Sequence, residues 1–102
     1  MTITKIEDAG TVTLKVDGWL DTASAPMLGE AVDVVETAEM LVLDFEKVEY
    51  MASSGLRQVV AASKKAKEIG AGFRVIHVDT TVMNIFSMTH IDQKMDIIAK
   101  EG

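Results

Sequence analysis

Two patterns of apolar and polar residues alternate along the chain, one with the two-residue period of a strand and one with the period of a helix. Near the N-terminus, residues 3–7 and 12–17 flank the turn signal Asp8-Ala9-Gly10, which predicts an antiparallel hairpin. The second of these strands alternates cleanly, with three valine or leucine residues between polar ones. We therefore expect one face of the hairpin to lie against a core.

Three helical patterns follow, and each is succeeded by an apolar stretch of strand length. The first helix starts near Thr22 or Ser24, either of which can cap it, and the second runs from the serines at 53 and 54 to about Gly70. Asp79 or Thr80 can cap the third. The intervening strands are predicted at 40–45, 73–78 and 95–98. The first helix is predicted to bury Ala25, Leu28, Val32 and Val35. The helical spacing of the second is set by Leu56, Val59, Val60 and Ser63, and the apolar face of the third is formed by Val82, Ile85, Phe86 and Thr89.

This order of elements, β-β-α-β-α-β-α-β, predicts an α/β fold in a single domain across residues 1–102. Right-handed crossovers between neighbouring parallel strands place successive helices on the same face of a sheet. We expect a mixed, mostly parallel sheet that begins with the hairpin and carries its helices on one face.

Composition excludes several classes of protein. The net charge of −6 and the pI near 4.7 argue against nucleic-acid binding, which depends on neutralising phosphates with a basic surface. Cysteine is absent, so disulfides and thiolate chemistry are excluded. No apolar run is long enough to cross a membrane, and the first residues lack the features of a signal peptide. We expect a cytoplasmic protein that binds another protein.

The candidate site is the junction between the central strand and the second helix, where Ser53-Ser54-Gly55 stands. The free amides of a helix start point outward and favour anions, and the carboxyl edge of a parallel sheet often carries function. Serines at a helix start most often act as caps. Arg57 lies one turn further on, where it could meet an acidic partner or a phosphate.

Three segments carry a resemblance to a known family. The central one is an aliphatic run with Asp44, then a connector and Ser53-Ser54-Gly55-Leu56. The others are Gly18-Trp19-Leu20-Asp21, with Thr22 and the helix beyond it, and the third helix with the turn that follows. Together they resemble the STAS family of bacterial anti-sigma-factor antagonists over nearly the whole chain. His90 stands where that family often has glycine, and histidine tolerates a left-handed backbone at some cost.

The resemblance implies a single-wound sheet and a function as an anti-sigma-factor antagonist that binds a kinase-type anti-sigma factor. In the family, the first serine of the pair is phosphorylated by that kinase, which implies Ser53 as the switch and Ser54 as the second choice. The family commonly has aspartate before this serine, whereas this chain has Ala52. The implied partner-binding residues are Asp21, Thr22, Ser53, Ser54, Gly55 and Arg57. A phosphoserine phosphatase is a further candidate partner, and no cofactor is expected because any nucleotide would belong to the kinase.

Two alternatives stand beside this function. One is a STAS module that binds a partner in a sensory or regulatory assembly without being switched. The other, more remote, is a small hydrolase using Ser53, although the GxSxG pattern and a spaced histidine partner are missing. His77 and His90 lie in different elements without metal-ligand spacing, so neither a catalytic nor a metal site is expected. Asp44 is expected to be structural.

Overall fold

The computed structural model of the protein describes residues 1–100. Within them, five strands and three α-helices follow one another, with a short 3₁₀ turn at Ile91–Gln93. The strands are β1 (Thr2–Asp8), β2 (Thr11–Asp17), β3 (Met40–Lys47), β4 (Gly72–Val78) and β5 (Asp96–Ala99). The helices are α1 (Ala25–Asp33), α2 (Ser53–Glu68) and α3 (Thr80–Met88). No helix in this part of the chain combines the length and apolar character needed to cross a bilayer.

The strands form one sheet in the order β1-β2-β3-β4-β5, which confirms the predicted α/β architecture. The first pair is antiparallel and the other three are parallel. Because β3, β4 and β5 run parallel to β2, each of them ends at the same edge of the sheet as β2. Ala9 and Gly10 both have positive φ, 49° and 85°, as a two-residue hairpin turn requires.

The core lies between the sheet and its helices. Leu41, Leu43 and Phe45 alternate along β3 and have no exposed surface. They belong to one buried cluster with Val59 of α2 and Phe86 of α3. The intervening β3 residues face the opposite side of the sheet, as the period of two requires.

Helix α2 buries a different face from the one that its large apolar residues predict. The residues that it buries are Gly55, Val59, Ala62 and Ala66, whereas Leu56, Val60 and Ser63 are only partly buried. The spacing located the helix correctly, but Val59 is the one position of that pattern that is fully buried. Small residues let a helix lie close to its neighbours, and here the small side dictates the packing.

The ends of the elements are mostly as predicted. Asp79 caps α3 by accepting a hydrogen bond from the Val82 amide at 2.9 Å, and Gly70 adopts the left-handed conformation (φ 72°) after α2. His90 is also left-handed, with φ 61°. Thr89, predicted to belong to the apolar face of α3, is exposed because the helix ends before it.

Candidate functional site

Helix α2 begins without a side-chain cap. Ala52 occupies the N-cap position with an extended backbone (φ −84°, ψ 170°), and its methyl group can accept no hydrogen bond. The Leu56 amide is the first to find an acceptor in the helix, the Ala52 carbonyl at 3.0 Å. The three preceding amides therefore have no acceptor within the helix, and the first turn carries no acidic residue. This helix start is therefore electropositive, and no acidic residue of its own first turn offsets it.

The serines occupy the first two positions of α2 rather than its N-cap, so the general tendency of serines at a helix start to act as caps does not apply here. Ser53 is exposed, and its hydroxyl makes no hydrogen bond within residues 1–100. Ser54 is half-buried and shares a hydrogen bond of 3.2 Å with the Thr22 hydroxyl. Gly55 is buried, and a Cβ atom there would lie 2.7 Å from the Leu20 Cγ. Ser53 thus presents a free hydroxyl, while Ser54 and Gly55 hold the helix start against the neighbouring loop.

The loop after β2 lies directly beside this helix start, as the shared edge of parallel strands requires. Leu20 forms an isolated parallel bridge with Met51, donating to the Tyr50 carbonyl at 3.0 Å and accepting from the Ala52 amide at 2.9 Å. We call the surface formed by residues 19–24 and 50–57 the serine edge. It brings together all six residues that the sequence predicted for partner binding, although Gly55 lies beneath the surface.

Asp21 shapes the loop of the serine edge through hydrogen bonds with its own turn. Its Oδ1 atom accepts from the amides of Ala23 at 3.1 Å and Ser24 at 3.0 Å, and from the Ser24 hydroxyl at 3.0 Å. The Ser24 amide and then the Ser24 hydroxyl lower the pKa of the Asp21 carboxyl, because they stabilise its charged form. The single proton of the Ser24 hydroxyl is shared between Asp21 Oδ1 and the Trp19 carbonyl, which lies closer at 2.6 Å. Asp21 is therefore a cap of its own turn, held ionised next to the helix start.

A family model described as the STAS domain matches residues 2–102, nearly the whole chain. The chain belongs to the STAS domain family. The resemblance noted in the sequence is thereby confirmed, and two of the three segments that carried it contribute to the serine edge of this STAS domain.

Named relatives and solved structures agree with this assignment. The "Anti-sigma-B factor antagonist" of Listeria monocytogenes is 28% identical over 100 residues, covering 96% of this chain and 88% of that protein. An anti-sigma factor antagonist from Mycobacterium paratuberculosis has a similar structure, with a TM-score of 0.86 at 24% identity, covering 95% of this chain and 84% of the other. SpoIIAA in its unphosphorylated form has a TM-score of 0.81 at 16% identity, covering 94% and 87%. The phosphorylated form of SpoIIAA from Bacillus has a TM-score of 0.73 at 15% identity, covering 94% and 90%.

The serine edge of this STAS domain includes an exposed aromatic pair. The rings of Trp19 and Tyr50 lie 5.6 Å apart between centroids and are tilted by 50°, while 63% and 44% of these residues remain exposed. Large exposed aromatic residues are typical of binding surfaces. The sequence analysis missed this pair. Trp19 and Tyr50 precede Leu20 and Met51, so the bridge between those residues brings the rings together, and only the pairing of the two loops could have revealed it.

The exposed side of α2 continues the serine edge as an apolar groove. Leu56, Val60 and Ile91 line it together with Arg57 and Lys64, and this shallow, open groove has a volume of about 430 Å³. The two cations at its border contrast with the chain's net charge of −6. This groove contains the apolar residues that α2 does not bury.

The hydrolase alternative finds no support in the geometry. Within the described residues, the hydroxyl of Ser53 has no histidine or carboxylate bonded to it, whereas an activated serine needs an adjacent base. His77 instead bonds to Asp44 on β3, and His90 lies after α3.

Proposed function

We propose that this STAS domain is an anti-sigma-factor antagonist that binds a kinase-type anti-sigma factor through the serine edge and is released when Ser53 is phosphorylated. The observation that carries the proposal is the free, exposed hydroxyl of Ser53 at the first position of an uncapped helix. The names of the sequence relatives and the phosphorylated state of SpoIIAA give independent support.

The unphosphorylated serine edge suits a protein partner. Trp19 and Tyr50 offer exposed apolar area, and the groove along α2 offers more. Arg57 is exposed at the border of that groove, where it would pair with an acidic group of the kinase. Asp21 and Thr22 complete the contact from the loop after β2.

Phosphorylation would change the contact without unfolding the domain. A phosphate on Ser53 adds about −1.5 to −2 charges, and the unpaired amides at the start of α2 favour that charge by roughly 0.3–1 kcal/mol. The partner would instead have to desolvate a dianion where it formerly met a neutral hydroxyl. Binding should therefore be lost while the fold remains intact.

The test uses the native anti-sigma kinase, identified by capture on the wild-type domain and then purified as recombinant protein. Phosphate transfer from ATP and binding affinity are measured for wild type, Ser53→Ala, Ser53→Asp and Ser54→Ala, with the melting temperature of each. Ser54→Ala is the matched control because it removes a neighbouring hydroxyl on the same turn.

We expect Ser53→Ala to bind without accepting phosphate and Ser54→Ala to accept it. Ser53→Asp should lose affinity by more than about tenfold with a nearly unchanged melting temperature, because its carboxylate mimics part of the phosphate charge. Phosphate uptake by Ser53→Ala would refute Ser53 as the switch. Binding by a wild type that takes up no phosphate would establish the alternative, a module that does not switch.

A further inference from the structure

Asp44, Glu46 and His77 form a cluster on the face of the sheet opposite the buried core. Asp44 and Glu46 are two residues apart on β3, so they share a face, while Leu43 and Phe45 between and beside them are buried in the core. His77 lies near the end of the adjacent strand β4. Neither the STAS assignment nor the serine edge accounts for this cluster.

The backbone at His77 is what completes the cluster. Regular alternation along β4 would place His77 on the same face as the fully buried Val75, away from Asp44. His77 instead has φ of 57°, and the register of β4 with β5 shifts between Val75 and Val78. This local break turns the imidazole towards Asp44, with 2.9 Å between His77 Nδ1 and Asp44 Oδ1.

Asp44 has unused capacity to bind a ligand. Its side chain is only 6% exposed, and Oδ1 accepts from the Glu46 amide at 3.0 Å as well as meeting His77. Its other oxygen, Oδ2, takes part in no hydrogen bond within residues 1–100. Oδ2 is not among the fully buried polar atoms that lack a partner in the described chain, so it keeps contact with solvent. It is therefore open to a further ligand.

The three side chains have the spacing of a metal site. One donor atom from each lies within 4.8 Å of the other two. Zinc is held at about 2.0–2.2 Å by imidazole nitrogen and carboxylate oxygen, so ligands on one ion lie roughly 3–4 Å apart. Glu46 is exposed and can rotate to close the remaining gap.

The charge of the cluster suits a divalent cation with an affinity for nitrogen. Two carboxylates attract the ion, and the imidazole favours zinc and its neighbours over magnesium and calcium, which prefer oxygen ligands. Lys100 lies nearby, but its ammonium donates to the Glu46 backbone carbonyl at 2.6 Å rather than to the carboxylate. Lys15 is the strand partner of Asp44, yet within the described residues the side chain of Asp44 contacts His77 and forms no salt bridge with a lysine.

We propose that Asp44, Glu46 and His77 bind a divalent transition-metal ion, with Zn²⁺ as the representative, in a three-ligand site separate from Ser53. Three protein ligands leave one position of a tetrahedral ion open to water. This departs from the sequence-based expectation that neither histidine binds a metal.

The test is a Zn²⁺ titration of the chelator-treated protein, in which calorimetry measures binding and the NMR signals of the two imidazoles report which histidine responds. His77→Asn removes the nitrogen ligand, and His90→Asn is its matched control, because both histidines have left-handed backbones, φ 57° and 61°, that asparagine readily adopts. Glu46→Gln provides a second ligand variant at an exposed position. Mg²⁺ is titrated in parallel.

We expect saturable binding of one Zn²⁺ that shifts the His77 signals and leaves those of His90 in place. His77→Asn and Glu46→Gln should each weaken binding by more than about tenfold, as loss of a ligand should cost at least as much as loss of a supporting group. His90→Asn should bind like wild type. Absence of saturable binding to the wild type, or equal affinity in wild type and His77→Asn, would overturn the site, as would tighter binding of Mg²⁺ than of Zn²⁺.

Discussion

Replacing Ala52 with aspartate should stabilise the domain, because Ala52 is the N-cap residue of α2 and its side chain cannot accept a hydrogen bond. Ala52 already has the extended backbone of an N-cap residue, and its carbonyl accepts the first hydrogen bond of the helix. A carboxylate on this residue would accept from the free amides of Ser54 or Gly55. Ala52→Asp therefore supplies the missing acceptor without changing the path of the chain.

The expected gain can be estimated from the two effects of the new carboxylate. Aspartate in place of alanine at an N-cap is worth about 0.5–2 kcal/mol, a range that already includes part of the attraction to the helix dipole. Ala52 is half-buried and its amide bonds to the Leu20 carbonyl, so some crowding will offset the gain. We expect a net stabilisation of about 1 kcal/mol, which corresponds to roughly 4–8 °C in melting temperature for a domain of this size.

Urea unfolding and thermal melts at neutral pH and in mild acid measure the effect. The new carboxyl should have a lowered folded-state pKa, so the gain is present above an unfolded value of about 3.9 and disappears as the pH falls through the folded value. Ala61→Asp on the exposed side of the same helix is the control, and it should be neutral or destabilising by up to about 0.7 kcal/mol. Equal effects of the two substitutions, or a loss of stability in Ala52→Asp, would refute the capping argument.

Three further predictions concern the serine edge. Gly55→Ala should destabilise the domain by about 1–3 kcal/mol in urea unfolding, because its Cβ would meet the Leu20 Cγ at 2.7 Å; Gly29→Ala should cost less, since there the nearest atom is the end of a flexible glutamine. Asp21→Asn should make the free energy of unfolding depend less on pH in acid. The lowered pKa of Asp21 means that its carboxylate stabilises the fold above its usual pKa of 3.8, and that this stabilisation is lost as the pH falls through the folded pKa. Trp19→Ala should weaken partner binding by more than about tenfold while leaving the melting temperature nearly unchanged, which a binding assay and a melt would check together.

Much of the fold follows from patterns that local sequence fixes. Alternation in β2, the Ala9-Gly10 turn and the Asp79 cap each depend on residues close together in the chain, and each is found as predicted. The place of the serines at the junction between β3 and α2 could also be predicted, because the spacing of apolar residues changes there from that of a strand to that of a helix.

The features that sequence could not reveal depend on contacts between distant residues. The aromatic pair arises because Leu20 and Met51 bridge, and the cluster at Asp44 arises because a left-handed His77 reverses the alternation of β4. The residues around each position do not indicate the Leu20–Met51 bridge or the left-handed backbone of His77. The absent cap of α2 is different, since Ala52 was visible in the sequence but the serines beside it were the more obvious candidates.

The way α2 packs on the sheet bears on where the partner binds. A helix that buries Gly55, Ala62 and Ala66 leaves Leu56 and Val60 partly exposed, although burying such side chains normally stabilises a fold by about 1.5–3 kcal/mol each. Places where local pattern and packing disagree are often functional sites. Because these side chains share a helix and a groove with Arg57, one turn from Ser53, a kinase that reached the serine would cover them. The partly exposed apolar side chains of α2 therefore support extending the proposed partner surface along this helix.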